Sequence, residues 1–354
     1  MHREVSYVAK LIIVVALMVC APATSLAGDF YKGKTLRFIV GASPGGGYDT
    51  YTRLVARYIG KYIPGKPTTL VQNMTGAGML IAANYVYRRA RPDGLSLGIF
   101  NNSLIVQKAI GDPKIKINFG KMGWVGAPSV GIPVCMVMGF TGLRTLEDVL
   151  KYKKPLKVGA TRAGSSGHDI PLILNKVLGT NFKVITGYRG TAPTRVALQR
   201  HELEAFCSQW ESMRVTARSM LDAKGGEKLI PFIVHSRGTD PETKNLPLFR
   251  EAIKGKKNLA VYNAWTAQMD FQRPLSLPPG TPKDRLKILR KGFEAALKDP
   301  QLLAEAKKSK LIITYVSGVR VEKLVGQILS MSQEVRESLE FLIRKKKGGG
   351  RKRS

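Results

Sequence analysis

Two glycine-rich stretches and one serine cluster carry the residues best suited to chemistry in this chain. In the first stretch, Gly41-Ala42-Ser43-Pro44-Gly45-Gly46-Gly47 follows the β-branched and aromatic run Leu36-Arg37-Phe38-Ile39-Val40. It precedes Tyr51, Leu54, Val55, Tyr58 and Ile59, whose spacing makes one apolar face of a helix. A strand, a tight turn and a helix start together expose backbone N–H groups and the positive end of a helix dipole, which suits an anion. Ser43, Gly46, Gly47 and Asp49 are the candidate contacts, and Asp49 or Thr50 is also placed to cap the helix. The loop lacks the Gly-Lys-Ser/Thr of a Walker site and the last glycine of a dinucleotide fingerprint. A purely structural turn is the competing reading.

The second stretch has the same form. Thr69-Leu70-Val71 reads as a strand, Gly76-Ala77-Gly78 as a small-residue turn, and Leu80 to Tyr87 as a helix. A third strand, Leu95 to Phe100, ends at Asn102 and Ser103. In open α/β sheets the carboxyl ends of the strands are where ligands sit, so Gly76, Ala77, Gly78, Asn102 and Ser103 join the candidates. Ser165, Ser166, His168 and Asp169 form the third cluster. Neighbours on one backbone seldom reach triad geometry, and no G-x-S-x-G elbow is present. There is no H-E-x-x-H or paired-cysteine motif, and the four histidines include His2. The expectation is a binding protein rather than an enzyme, with no cofactor and no metal.

The rest of the chain must position these groups. Residues 1–27 resemble an export signal: Arg3 and Lys10 precede an apolar run, and Ser25-Leu26-Ala27 offers small residues for cleavage. About 320 residues remain, which favours two domains over one core. Cys135 and Cys207 are then the only cysteines, and a disulfide and two buried thiols are equally open readings. The formal net charge of +32 attracts anions in general. The cations are scattered, however, and no nucleic-acid motif appears, so nucleic acid is not an expected partner. Residues 344–354 read as a disordered basic tail.

The segments GASPGGGYDTYTRLVARYI and VQNMTGAGMLIAANYVYRRARPDG resemble the TctC or Bug family, periplasmic solute-binding proteins of tripartite tricarboxylate transporters. Gly164-Ser165-Ser166-Gly167-His168, Gly187-Tyr188-Arg189-Gly190 and Pro278-Pro279-Gly280-Thr281-Pro282 resemble later family segments, in family order. The resemblance implies an α/β, two-lobed periplasmic-binding-protein type II fold, each lobe a sheet flanked by helices. The first lobe would comprise 28–128 and 262–343, the second 129–261. It further implies a monomer in the periplasm that closes on a di- or tricarboxylate and delivers it to the membrane subunits of such a transporter. A ligand sensor for a signalling receptor, and less so a phosphate-loop enzyme, are the alternatives. Tyr188 and Arg189 become candidate contacts beside Ser165, Ser166 and His168. Arg189 stands where the family commonly has Lys, and Asp169 where an apolar residue is usual. The helical segments 283–303 and 321–342 are expected to pack on the first lobe.

Overall fold

The structure, a computed structural model, describes residues 30–45, 47–160, 165–188, 191–236 and 242–343. The export signal, the basic tail, Gly46 and Arg189 lie outside these residues. The run predicted as the first strand is β1 (Thr35–Val40), in which Leu36 and Phe38 are buried and Arg37 is exposed. β1 pairs in parallel with β2 (Thr68–Asn73) on one side and β3 (Ser96–Ile99) on the other, Arg37 lying opposite Leu70 and Ser96. Parallel neighbours need crossover connections, which helices Gly47–Ile59 and Leu80–Arg88 supply. The first of these buries Tyr51, Leu54, Val55 and Ile59, the face expected from their spacing.

Beyond β3 the sheet turns antiparallel. β4 (Gly123–Ala127) is separated from β3 by a late strand, β10 (Leu275–Leu277), and bordered by β11 (Val316–Ser317), giving the order β11-β4-β10-β3-β1-β2. A second sheet holds β5 (Pro133–Met138), β6 (Leu156–Ala160), β7 (Phe182–Thr186), β8 (Ala205–Gln209) and β9 (Leu229–Val234) in the order β7-β6-β8-β5-β9. β5 is buried along its whole length, as its uninterrupted apolar run requires. Cys135 and Cys207 stand opposite each other in β5 and β8, fully buried and joined by a disulfide, which decides between the two readings left open above.

Two sheets, each with its own flanking helices, make the expected two-lobed architecture. The chain passes between them near residues 128–132 and returns near 267–274. There the two crossings are tied side by side: the Gln272 amide donates to the Ser129 carbonyl at 2.7 Å, and the Gly131 amide to the Met269 carbonyl at 2.6 Å. The end of the chain departs from expectation. Helix Gly318–Leu329 packs on β4, but helix Gln333–Ile343 packs against helices Ser166–Leu178 and Lys256–Thr266, beside the second sheet. Its Leu339 and Ile343 need an apolar partner, and Ile170, Ile173, Leu174 and Val177 provide one. No helix of the described residues is long and apolar enough to cross a membrane.

Candidate functional site

The two glycine loops of the first sheet are built against each other. A β carbon on Gly41 would stand 2.4 Å from the Met79 β carbon, so only glycine at 41 admits the second loop so closely. That second loop runs through left-handed backbone at Ala77 (φ 45°) and Met79 (φ 75°), an arrangement L residues rarely adopt.

Asp49 holds the first loop shut. It is 2 % exposed and sits inside the first turn of helix Gly47–Ile59, where capping from position 49 or 50 was expected. Its carboxylate accepts hydrogen bonds from the Gly45 amide (2.8 Å), Arg53 Nε (2.9 Å) and Asn73 Nδ2 (2.9 Å). Burial alone would raise its pKa, but the bonds from Arg53, Gly45 and Asn73 outweigh it and hold the carboxyl below the usual range. A depressed folded-state pKa contributes stability that is present above the unfolded value of about 3.9 and is lost as pH falls through the folded value. Asp49→Ala is therefore expected to cost about 2–3 kcal/mol at pH 7 in urea unfolding. The gap to wild type should shrink as the pH drops below about 3.9. An equal gap at pH 7 and pH 2 would refute the role of the charge.

Between the two sheets lies a cavity of about 320 Å³. From the first sheet come Gly47, Tyr48 and Arg273; from the second come Ser165, Ser166, Gly167, Gln209 and Ser212. Two thirteen-residue helices, Gly47–Ile59 and Ser166–Leu178, thus begin at its edge. Their first-turn amides have no acceptor within the helix. A β carbon on Gly167 would meet the Gly159 carbonyl oxygen at 2.8 Å, so this helix start is seated directly on β6. The Ser166 hydroxyl accepts from Gln209 Nε2 at 2.9 Å.

Arg273 supplies the cavity's cation. It sits in left-handed backbone (φ 58°), its Nη1 donates to Ser129 Oγ at 2.9 Å, and its guanidinium lies 4.2 Å from the Tyr51 ring centre and 5.7 Å from that of Tyr48. Nη2 is 4.0 Å from Glu211 Oε1 across the lobes, beyond hydrogen-bond reach, and Nε has no partner. Glu211 is 8 % exposed, and neither of its oxygens makes a hydrogen bond of normal geometry. Burial pushes the Glu211 carboxyl up, against the pull of Arg273 and, more weakly, of its own amide and that of Ile132. Gln209 Oε1 is also buried without a donor. Native interiors leave few buried polar atoms unpaired, and here Gln209 Oε1 and Arg273 Nε belong to the cavity lining while both Glu211 oxygens stand behind Arg273.

Of the residues singled out in the sequence, Gly47, Ser165 and Ser166 line this cavity. Ser43 is on an exposed part of the first loop. Gly76, Ala77 and Gly78 form the second loop, outside the cavity lining. Asn102 is buried and donates to the carbonyls of Gln268 and Phe271, so it ties β3's end to the returning crossing. Ser103 starts a short helix and accepts from Gln107 Nε2 at 3.4 Å. His168 Nδ1 pairs with Asp169 Oδ1 at 2.8 Å, and Asp169 Oδ2 accepts from Trp265 Nε1 at 3.3 Å, which uses both residues in helix packing. Tyr188 packs on the second sheet's core. Arg273 and Gln209 were not singled out. Glu211 carried a signal, since it follows a strand; Arg273 sits in an irregular segment with no periodicity to mark it.

No protein-family model matches the chain. It is 25 % identical over 291 residues to the UPF0065 protein in the TAR-I ttuE-ttuC' intergenic region of Agrobacterium vitis, covering 80 % of this chain and 77 % of that one. It superposes on a TctC solute binding protein from Polaromonas with a TM-score of 0.67 at 19 % identity, covering 88 % of this chain and 99 % of the other. MatC from Rhodopseudomonas palustris with bound malate gives 0.62 at 22 % identity, covering 86 % and 99 %. These likenesses bear out the fold and the resemblance read from the glycine loops.

Proposed function

We propose that this chain, which has the fold of the TctC solute-binding proteins, is an exported receptor for a small organic anion of the di- or tricarboxylate class. It would bind rather than transform its ligand, as a monomer, with lobes that meet at the crossings near residues 128–132 and 267–274. It would deliver the ligand to the membrane subunits of a tripartite tricarboxylate-type transporter. The observation that carries this reading is the convergence of two helix starts and the Arg273 guanidinium on one interlobe cavity. One carboxylate would lie at Gly47 and Arg273 Nε, the other at Ser165–Gly167. Each helix dipole contributes about 0.3–1 kcal/mol to an anion, whereas micromolar binding needs about 8 kcal/mol. The charge-assisted bonds to Arg273 and closure of the cleft must supply most of the difference. The malate bound by MatC is of the same chemical class.

A thermal-shift screen of the purified protein against malate, adipate, citrate, amino acids and nucleotides tests the reading. A ligand at 100 times its Kd adds about 2.7 kcal/mol of stability. Stabilisation by one or more of the dicarboxylates or citrate is the expected outcome. A response to nucleotides alone, or to none of the acids, would overturn it.

A further inference from the structure

A second cavity, of about 560 Å³, opens at the opposite end of the first sheet from the cleft. β1 and β3 run parallel and end at the cleft, so their amino ends lie about 20 Å away, six residues at roughly 3.3 Å each. The lining includes Lys34 and Arg37 from the start of β1, and Arg89 and Arg91 from the end of helix Leu80–Arg88. Tyr85 forms one wall. The only acid in the lining is Asp93, and it is already engaged: its Oδ1 accepts the Leu95 amide at 2.9 Å. None of the four cations makes a side-chain ion pair or hydrogen bond with a described residue. Some exposed cations elsewhere are paired, as Arg57 with Glu305, Lys151 with Glu147 and Arg218 with both Asp222 and Glu242, whereas these four gather unpaired round one concavity.

Four like charges around one concavity repel one another and raise the local potential, an arrangement that a bound anion relieves. The lining carries a formal +3, four cations less Asp93, so a single carboxylate would leave most of it uncompensated. Three of the four are arginines, whose planar forks match phosphate oxygens two at a time. The volume lies within the ~300–1,000 Å³ of small-molecule sites. The carbonyl end of helix Leu80–Arg88 opposes an anion, but with about half a charge against three.

We propose that this cavity is a second anion site, distinct from the cleft, that takes clustered phosphates, either a soluble polyphosphate or the phosphate headgroups of an anionic lipid surface. Inorganic pyrophosphate is the probe, titrated calorimetrically into the purified full chain at 50 and 150 mM salt. One saturable site per chain is expected, weakened at the higher salt. Arg37→Ala/Arg89→Ala should raise its Kd at least tenfold. Lys121→Ala/Lys323→Ala, which removes two exposed cations outside the cavity, should change it less than twofold. Arg273→Met/Glu211→Gln, which removes the cleft cation together with the buried acid behind it, should leave it unchanged. Sedimentation with phosphatidylglycerol vesicles separates the sources: co-sedimentation that Arg37→Ala/Arg89→Ala abolishes assigns the lipid headgroup, and pyrophosphate binding without it assigns a soluble ligand. Failure of pyrophosphate to saturate, equal losses in Arg37→Ala/Arg89→Ala and Lys121→Ala/Lys323→Ala, or loss in Arg273→Met/Glu211→Gln would overturn the proposal. The first two would reduce the effect to scattered surface charge, and the third would place the anion in the cleft.

Discussion

Arg273→Met is expected to abolish carboxylate binding and to lower stability by about 3–5 kcal/mol at pH 7. Both effects have one cause. The guanidinium is the only cation in the described lining of the cleft, and Glu211 stands 4.0 Å behind it, buried and without a hydrogen bond of normal geometry. With Arg273 gone, the Glu211 charge has no counter-ion in a region of low dielectric, and it must stay buried at a cost or take up a proton. The ligand loses its charge-assisted donor at the same time, worth about 2–5 kcal/mol when one member of a buried pair is truncated. Glu211→Gln separates the two effects. It frees Arg273 from a competing carboxylate, so anion affinity is expected to rise about three- to tenfold. Arg273→Met/Glu211→Gln should recover most of the stability and none of the binding. Titration calorimetry with the best acid from the screen, alongside urea unfolding of all three variants, measures the cycle. Wild-type affinity in Arg273→Met would remove the guanidinium from the site altogether.

Cys135→Ala/Cys207→Ala is expected to cost about 4 kcal/mol, because the bridge closes a loop of 72 residues in the unfolded chain. Most of that loss acts on the unfolded state. β5 and β8 keep their ladder of paired residues from Pro133–Gln209 to Val137–Ala205 without the bridge. Ligand affinity should therefore change little even though Cys207 lines the cleft. The urea midpoint of the variant, compared with wild type with and without reductant, checks this. A loss below about 1 kcal/mol would mean that the two strands stay associated in the unfolded chain. A tenfold loss of affinity would mean that the bridge shapes the cleft floor.

Much of the scaffold was legible because period and turn chemistry agree. The alternation of Leu36, Arg37 and Phe38, the helical face from Tyr51 to Ile59, and the unbroken apolar run of β5 each demand one conformation. The site was legible only where it is built from backbone. Gly47 and Ser165–Ser166 reach the cavity because they begin helices, and helix starts carry a composition. Asp49, Asn102 and His168 are polar residues at the right edge of the sheet, yet their side chains bond Gly45, Gln268 and Asp169. Nothing local distinguishes a polar group that holds the frame from one that faces the ligand. Arg273 is the converse. It acts through Ser129, Tyr51 and Glu211, all at least 62 positions away in sequence, and no spacing rule spans such distances. The placement of helix Gln333–Ile343 was missed for a related reason: an amphipathic pattern says that a face is buried, not against what.

That last helix alters the connectivity of the two bodies. The chain crosses near 128–132, returns near 267–274, and crosses a third time in the short link between helices Gly318–Leu329 and Gln333–Ile343. An odd number of crossings leaves β1 on one body and residue 343 on the other. Relative rotation of the lobes therefore changes the separation of residues 30 and 343, the first and last described. A donor and acceptor dye placed near residues 30 and 343 form a ruler across the hinge, readable in solution without touching a residue of either anion site.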